Sequence, residues 1–121
     1  TEIYTLSLHD ALPIFIELGI SYESNLDKAI EILREETANH PNCIDNRSNE
    51  DITNGTPKVV VRVLGFGESA VNLRAYAWAN NSGEGFAMKC DLFEILKKRF
   101  SENGIEIPYP HRTVILKNNA N

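Results

Sequence analysis

The 121 residues carry 42% hydrophobic side chains, which suits one globular domain able to bury a core without metal or disulfide staples. Twelve Lys and Arg against 17 Asp and Glu leave a net charge of -5, so no broad basic surface exists for nucleic-acid phosphates or anionic headgroups. Cys43 and Cys90 lie far apart without metal-ligand spacing and read as free thiols of a reducing compartment.

No apolar run approaches the ~20 residues a bilayer crossing requires, so a membrane role would have to come from other sequence. Residues 1–14 lack the basic and continuous apolar regions of a secretion signal, and Pro13 interrupts their only hydrophobic part.

In chain order, residues 15–22 alternate, with Ile16, Leu18, Ile20 and Tyr22 on one face, which predicts a first strand. Ser24 or Asn25 can cap a following helix, where Leu26, Ala29, Ile30 and Leu33 recur at helical spacing. That helix should end near His40, before Pro41. Residues 42–57 are almost wholly polar and predict a long loop.

Residues 58–64 place Val59, Val60, Val61, Val63 and Leu64 on both faces of an extended segment, the pattern of a strand covered on both sides. Gly65 to Glu68 supply turn chemistry, and Val71, Leu73, Ala75 and Ala77 then alternate with Asn72, Arg74, Tyr76 and Trp78, which predicts a hairpin. After a break at 80–85, residues 86–103 predict a second helix burying Leu92, Phe93, Leu96 and Phe100, with Gly104 as its C-terminal cap. Pro108 and Pro110 bracket Tyr109 and forbid regular structure there, and residues 113–116 recover strand character before the polar tail 118–121. The resulting order is βαββαβ, an α+β, ferredoxin-like sandwich with two helices on one face of a four-stranded antiparallel sheet. The other sheet face needs protection, and another subunit is the expected cover.

Candidate chemistry is sparse. His9 beside Asp10 has no nearby nucleophile, His40 is more simply a helix cap, and His111 stands next to Arg112 in a proline-bounded segment. Gly65-Phe66-Gly67 lacks the third glycine and following helix of a phosphate loop. Tyr76 and Trp78 share a strand face, but the neighbouring strand offers valines where base-stacking folds carry aromatics, so packing against a partner is the better explanation. Three N-glycosylation patterns, at Asn46, Asn54 and Asn80, matter only in a secretory context that nothing here indicates. These residues predict no enzyme, no cofactor and no metal site.

Three strings carry a resemblance: ISYESNLDKAIEILREE from residue 20, VVVRVLGFGESAVNLRAYAW from residue 59, and GIEIPYPHRTVILK from residue 104. Together they resemble the C-terminal cytoplasmic domain of the small-conductance mechanosensitive channel (MscS) family, over residues 15–117. His111 stands where that family usually has Gln, the loop 42–57 looks several residues longer, and residues 1–14 do not match. TLSLHDALPI within that unmatched segment resembles a translated sequencing adapter and is expected not to be native.

The resemblance implies a homoheptameric channel, embedded in the bacterial inner membrane through N-terminal helices, that conducts ions and releases solutes under osmotic stress. This domain would form part of its cytoplasmic cage. Val114, Ile115 and Leu116 would be the short strand that joins six others in a barrel, and Pro108, Tyr109 and Pro110 would direct the chain to it. The alternative weighed beside it is a freestanding ferredoxin-like ligand-sensing module, which would have no hydrophobic helices ahead of residue 15.

Overall fold

The computed structural model describes residues 11–108. Their elements run β1 (Leu12–Ile20), α1 (Leu26–Asn39), α2 (Asn49–Thr53), β2 (Val60–Phe66), β3 (Val71–Ala79) and α3 (Ser82–Glu102). Among the described residues the architecture is α+β, with a three-stranded antiparallel sheet ordered β1-β3-β2 and three helices.

β3 takes the centre because its two faces differ so sharply. Val71, Leu73, Ala75, Ala77 and Ala79 are all buried, while Asn72, Arg74, Tyr76 and Trp78 turn to the other side. Register carries this division to both neighbours: Ile16 lies opposite Ala75 and Leu18 opposite Leu73 on β1, and Val61 lies opposite Ala75 on β2. The row of alanines lets two helices pack closely on this face. α1 contributes Ala29, Ile32 and Leu33, and α3 contributes Met88, Leu92, Leu96 and Phe100 to one continuous core. Gly85, in the first turn of α3, sits so near β1 that a Cβ there would collide with the Ile14 side chain.

Local chemistry sets the helix ends. The Asn25 side chain accepts from the Lys28 N–H at 3.0 Å to open α1, and Asn81 accepts from the Glu84 N–H at 2.8 Å to open α3. Gly104 adopts φ +72 after α3, which lets the Ile105 N–H reach back to the Phe100 carbonyl at 2.8 Å and buries Ile105 against the core.

Several expectations are corrected. β1 begins at Leu12, earlier than the alternation suggested and within the stretch set apart as unmatched. The loop 42–57 contains α2: Ser48 Oγ accepts from the Asp51 N–H at 3.0 Å, and Asp51 Oδ2 accepts from the Ser48 N–H at 3.1 Å, a reciprocal capping box. α3 starts at Ser82 because Asn81 caps it, so the break after β3 is shorter than expected. β2 is an edge strand whose Val63 and Leu64 are 39% and 44% exposed, not a strand covered on both faces. Phe93 is 44% exposed and outside the core, and Ile32, unassigned by periodicity, is fully buried. The strand expected at 113–116 lies outside the described residues.

Thr37 is fully buried on α1, and its Oγ1 finds no hydrogen-bond partner among the described residues. An unpaired buried hydroxyl is costly, and valine has nearly the same shape. Thr37→Val should therefore raise the unfolding free energy by about 1 kcal/mol in a urea titration; a loss of similar size would mean that the hydroxyl is paired in solution.

Candidate assembly surface

α1 and α3 cover one face of the sheet, and the register assigns the other face its side chains. Phe15 lies opposite Tyr76 and Glu17 opposite Arg74 across β1 and β3, while Val60 and Arg62 stand opposite Tyr76 and Arg74 across β2 and β3. The Phe15 and Tyr76 rings meet edge to face with centroids 5.2 Å apart. The Arg74 guanidinium lies 4.9 Å from the Phe15 ring centroid and 5.6 Å from that of Tyr76. Arg74 Nε also donates to Glu17 Oε2 at 2.7 Å, and the Tyr76 hydroxyl and Glu17 carboxylate together push the arginine pKa up. Such an exposed ion pair adds little stability, but it fixes the guanidinium over the rings.

Arg62 has no such partner among the described residues. It is exposed, faces the like charge of Arg74 directly across the strand pair, and makes no ion pair among the described residues. Like charges directly opposite on one sheet face are unfavourable, so among the described residues this face has a positive point without an ion-pair partner.

The second feature is the exit of the chain from α3. The Ser21 N–H donates to the Glu106 carbonyl at 2.9 Å, and the Glu106 N–H donates to Ser24 Oγ at 3.0 Å. Residues 105–107 are thereby held against the end of β1. Leu18, Phe93, Leu96, Phe100, Ile105 and Ile107 line an open apolar groove of about 750 Å³ beside them. Of the residues expected to join subunits, Pro108 is half-buried at the end of this segment. Tyr109, Pro110, Val114, Ile115 and Leu116 lie outside the described residues, as do His9, Asp10 and His111.

The remaining candidates have structural roles. His40 Nε2 lies 2.9 Å from Asp91 Oδ2, and its Nδ1 accepts from the Asn42 N–H at 3.0 Å, so the imidazole ties the end of α1 to the middle of α3. Gly67 N–H donates to the Ala70 carbonyl at 2.7 Å, which closes a hairpin and leaves no phosphate cradle. Cys43 is buried, and burial pushes its thiol pKa up, whereas Cys90 is exposed. Among the described residues no group of three or more His, Cys, Asp or Glu could hold a metal ion, and no helix is long and apolar enough to cross a membrane. The cluster of Phe15, Arg74 and Tyr76 escaped the sequence because it joins residues of different strands, although the alternation of β3 already put Arg74 and Tyr76 on one face.

Asp45 and Arg47 brace the segment before α2. Arg47 donates from Nε to Asp45 Oδ1 at 2.9 Å, from Nη2 to Oδ2 at 2.7 Å, and from Nη1 to the Thr56 carbonyl at 3.0 Å. The Arg47 hydrogen bonds lower the Asp45 pKa to about 2. A depressed carboxylate stabilises the fold above its unfolded pKa, near 3.9, and loses that effect as pH falls through the folded value. In an NMR titration Asp45 should still be charged at pH 3 and protonate near 2; a midpoint near 4 would show that the bridge does not persist in water.

The family described as "Mechanosensitive ion channel MscS, C-terminal" matches residues 14–107. The chain belongs to the MscS family. It corresponds to the C-terminal domain of these channels, which are not enzymes. An MscS family protein of Archaeoglobus fulgidus is 35% identical over 101 residues, covering 84% of this chain and 32% of the relative. The small-conductance mechanosensitive channel MscMJ of Methanocaldococcus jannaschii is 25% identical over 122 residues, covering 97% of this chain and 31% of that channel. The chain thus spans about a third of the length of these MscS relatives. The crystal structure of Helicobacter pylori MscS in its closed state superposes with a TM-score of 0.66 at 21% identity, over 91% of this chain and 40% of that one. That likeness shows the shared fold.

Proposed function

We propose that the chain is the cytoplasmic cage and assembly domain of a homoheptameric mechanosensitive channel that releases solutes on hypoosmotic shock. The whole channel would sit in the bacterial inner membrane through helices encoded upstream, with this domain on the cytoplasmic side. The observation that carries this function is the match of residues 14–107 to the MscS C-terminal domain. The sheet face that no described helix covers and the pinned exit of the chain support it, because a subunit of a ring would bury both against its neighbours.

In this function residues 15–117 form the domain, and Pro108 to Pro110 lead residues 113–116 into a βαββαβ arrangement whose last strand pairs with neighbouring copies. A strand of about four residues has no stable pairing alone, whereas closing it into a symmetric ring satisfies both of its edges. Val114, Ile115 and Leu116 would supply that strand.

The test is survival of osmotic downshock. In bacteria lacking their own mechanosensitive channels, the full-length gene should restore survival, and patches from these cells should show tension-activated currents. Absence of both in cells with the protein in the membrane would contradict the proposed function.

A further inference from the structure

The apolar groove of about 750 Å³ beside the end of β1 has walls too bare for their residue types. Phe93 is 44% exposed and Ile107 37%. Phe93 lies three residues before Leu96 and seven before Phe100, so it shares a stripe of α3 with two side chains that are buried. A segment laid along the groove would complete that stripe and cover Ile107 as well.

The chain itself leads into this place. Ile105, Glu106 and Ile107 form part of the wall, pinned by the hydrogen bonds of Glu106 to Ser21 and Ser24, and residues 109–121 continue from Pro108 at that rim. The one apolar run in this tail is Val114-Ile115-Leu116. Pro110 suits the second position of a reverse turn, and the six residues from Pro108 to Val114 reach up to about 20 Å, enough to double back. A tether this short raises the local concentration of the run into the millimolar range, which no untethered surface matches. Charge favours the same site: the tail carries Arg112 and Lys117 and no acid, and Glu17 and Glu106 outnumber Lys97 among the groove's charged residues. The sheet face opposite the helices carries Arg62 and Arg74, which would repel the tail.

We infer that in the lone subunit the tail folds back into its own groove, with Val114, Ile115 and Leu116 seated between Phe93 and Ile107. Ring closure would draw the same three residues out, so the contact keeps an unassembled subunit from presenting a bare apolar strand. The inference concerns the unassembled chain and goes beyond the assembly proposed above.

The test uses the 121-residue chain with Cys90→Ser, so that buried Cys43 is its one remaining native thiol, and with Asn118→Cys carrying a nitroxide spin label. In NMR spectra the amide signals of Phe93, Leu96 and Ile107 should lose intensity several-fold relative to Glu84, at the other end of α3, and to Arg62 on β2. Ile115→Asp in the labelled chain should restore those signals while the chemical shifts of core residues such as Leu73 and Ala75 stay in place, which separates loss of docking from loss of the fold. Broadening that survives Ile115→Asp would overturn the seating of the apolar run. Broadening centred on Arg62 or Phe66 would send the tail to another surface and overturn the choice of groove. Broadening seen only when spin-labelled chains are mixed with isotope-labelled chains would give the groove to a second copy and overturn the fold-back, as would no broadening at all. None of these results alters the subunit count of the full-length product, which tests the ring separately.

Discussion

Phe100→Ala lowers the unfolding free energy by about 3–5 kcal/mol, the range for deleting a fully enclosed aromatic ring. Phe100 is completely buried near the end of α3, in the core that also holds Ile105 and Leu96. The packed backbone around it has little room to collapse, because the Gly104 turn fixes Ile105 by a hydrogen bond to the Phe100 carbonyl itself. A cavity is therefore left, and its cost adds to the lost transfer of the ring from water. Urea denaturation followed by tryptophan fluorescence measures the change. Phe93→Ala serves as the comparison: this ring, also on α3, is 44% exposed and its removal should cost far less. Equal losses at the two positions would mean that the helix is rotated from the orientation described.

The second large effect belongs to His40. His40→Ala removes the partner of the Asn42 N–H and the contact with Asp91 in one step. Leaving a half-buried donor unpaired costs about 1–3 kcal/mol, and the lost bond to a carboxylate adds to it. The substitution should cost about 2–3 kcal/mol in the same denaturation experiment. Asp91→Asn separates the two contributions, because a carboxamide oxygen still accepts from Nε2–H and the Asn42 cap is untouched; less than about 1 kcal/mol should be lost. A larger loss for Asp91→Asn than for His40→Ala would show that the carboxylate has a partner other than the imidazole.

Much of this architecture is written in periodicity. The buried row from Val71 to Ala79 alternates without a break, and Ala29 and Leu33 mark the inner face of α1. Gly104 after a run of helix formers signals the turn that the structure shows. Periodicity failed where burial and pattern part company. Val63 and Leu64 look buried by type, yet β2 is an edge strand among the described residues and the two side chains stay 39% and 44% exposed. α2 has no apolar stripe to reveal it, and only the Ser48 and Asp51 spacing announces its start. The tie from His40 to Asp91 spans 51 positions, and the stack of Phe15, Arg74 and Tyr76 depends on register between strands. Neither is a local pattern, so neither can be read along the chain. The sheet face opposite the helices was legible in outline, but not in its chemistry.

The most direct measurement is the mass of the full-length gene product, purified in detergent, by sedimentation or native mass spectrometry. A channel subunit completed by its neighbours predicts a single species of seven copies. A monodisperse monomer or dimer from a protein that is folded and membrane-extracted would contradict it.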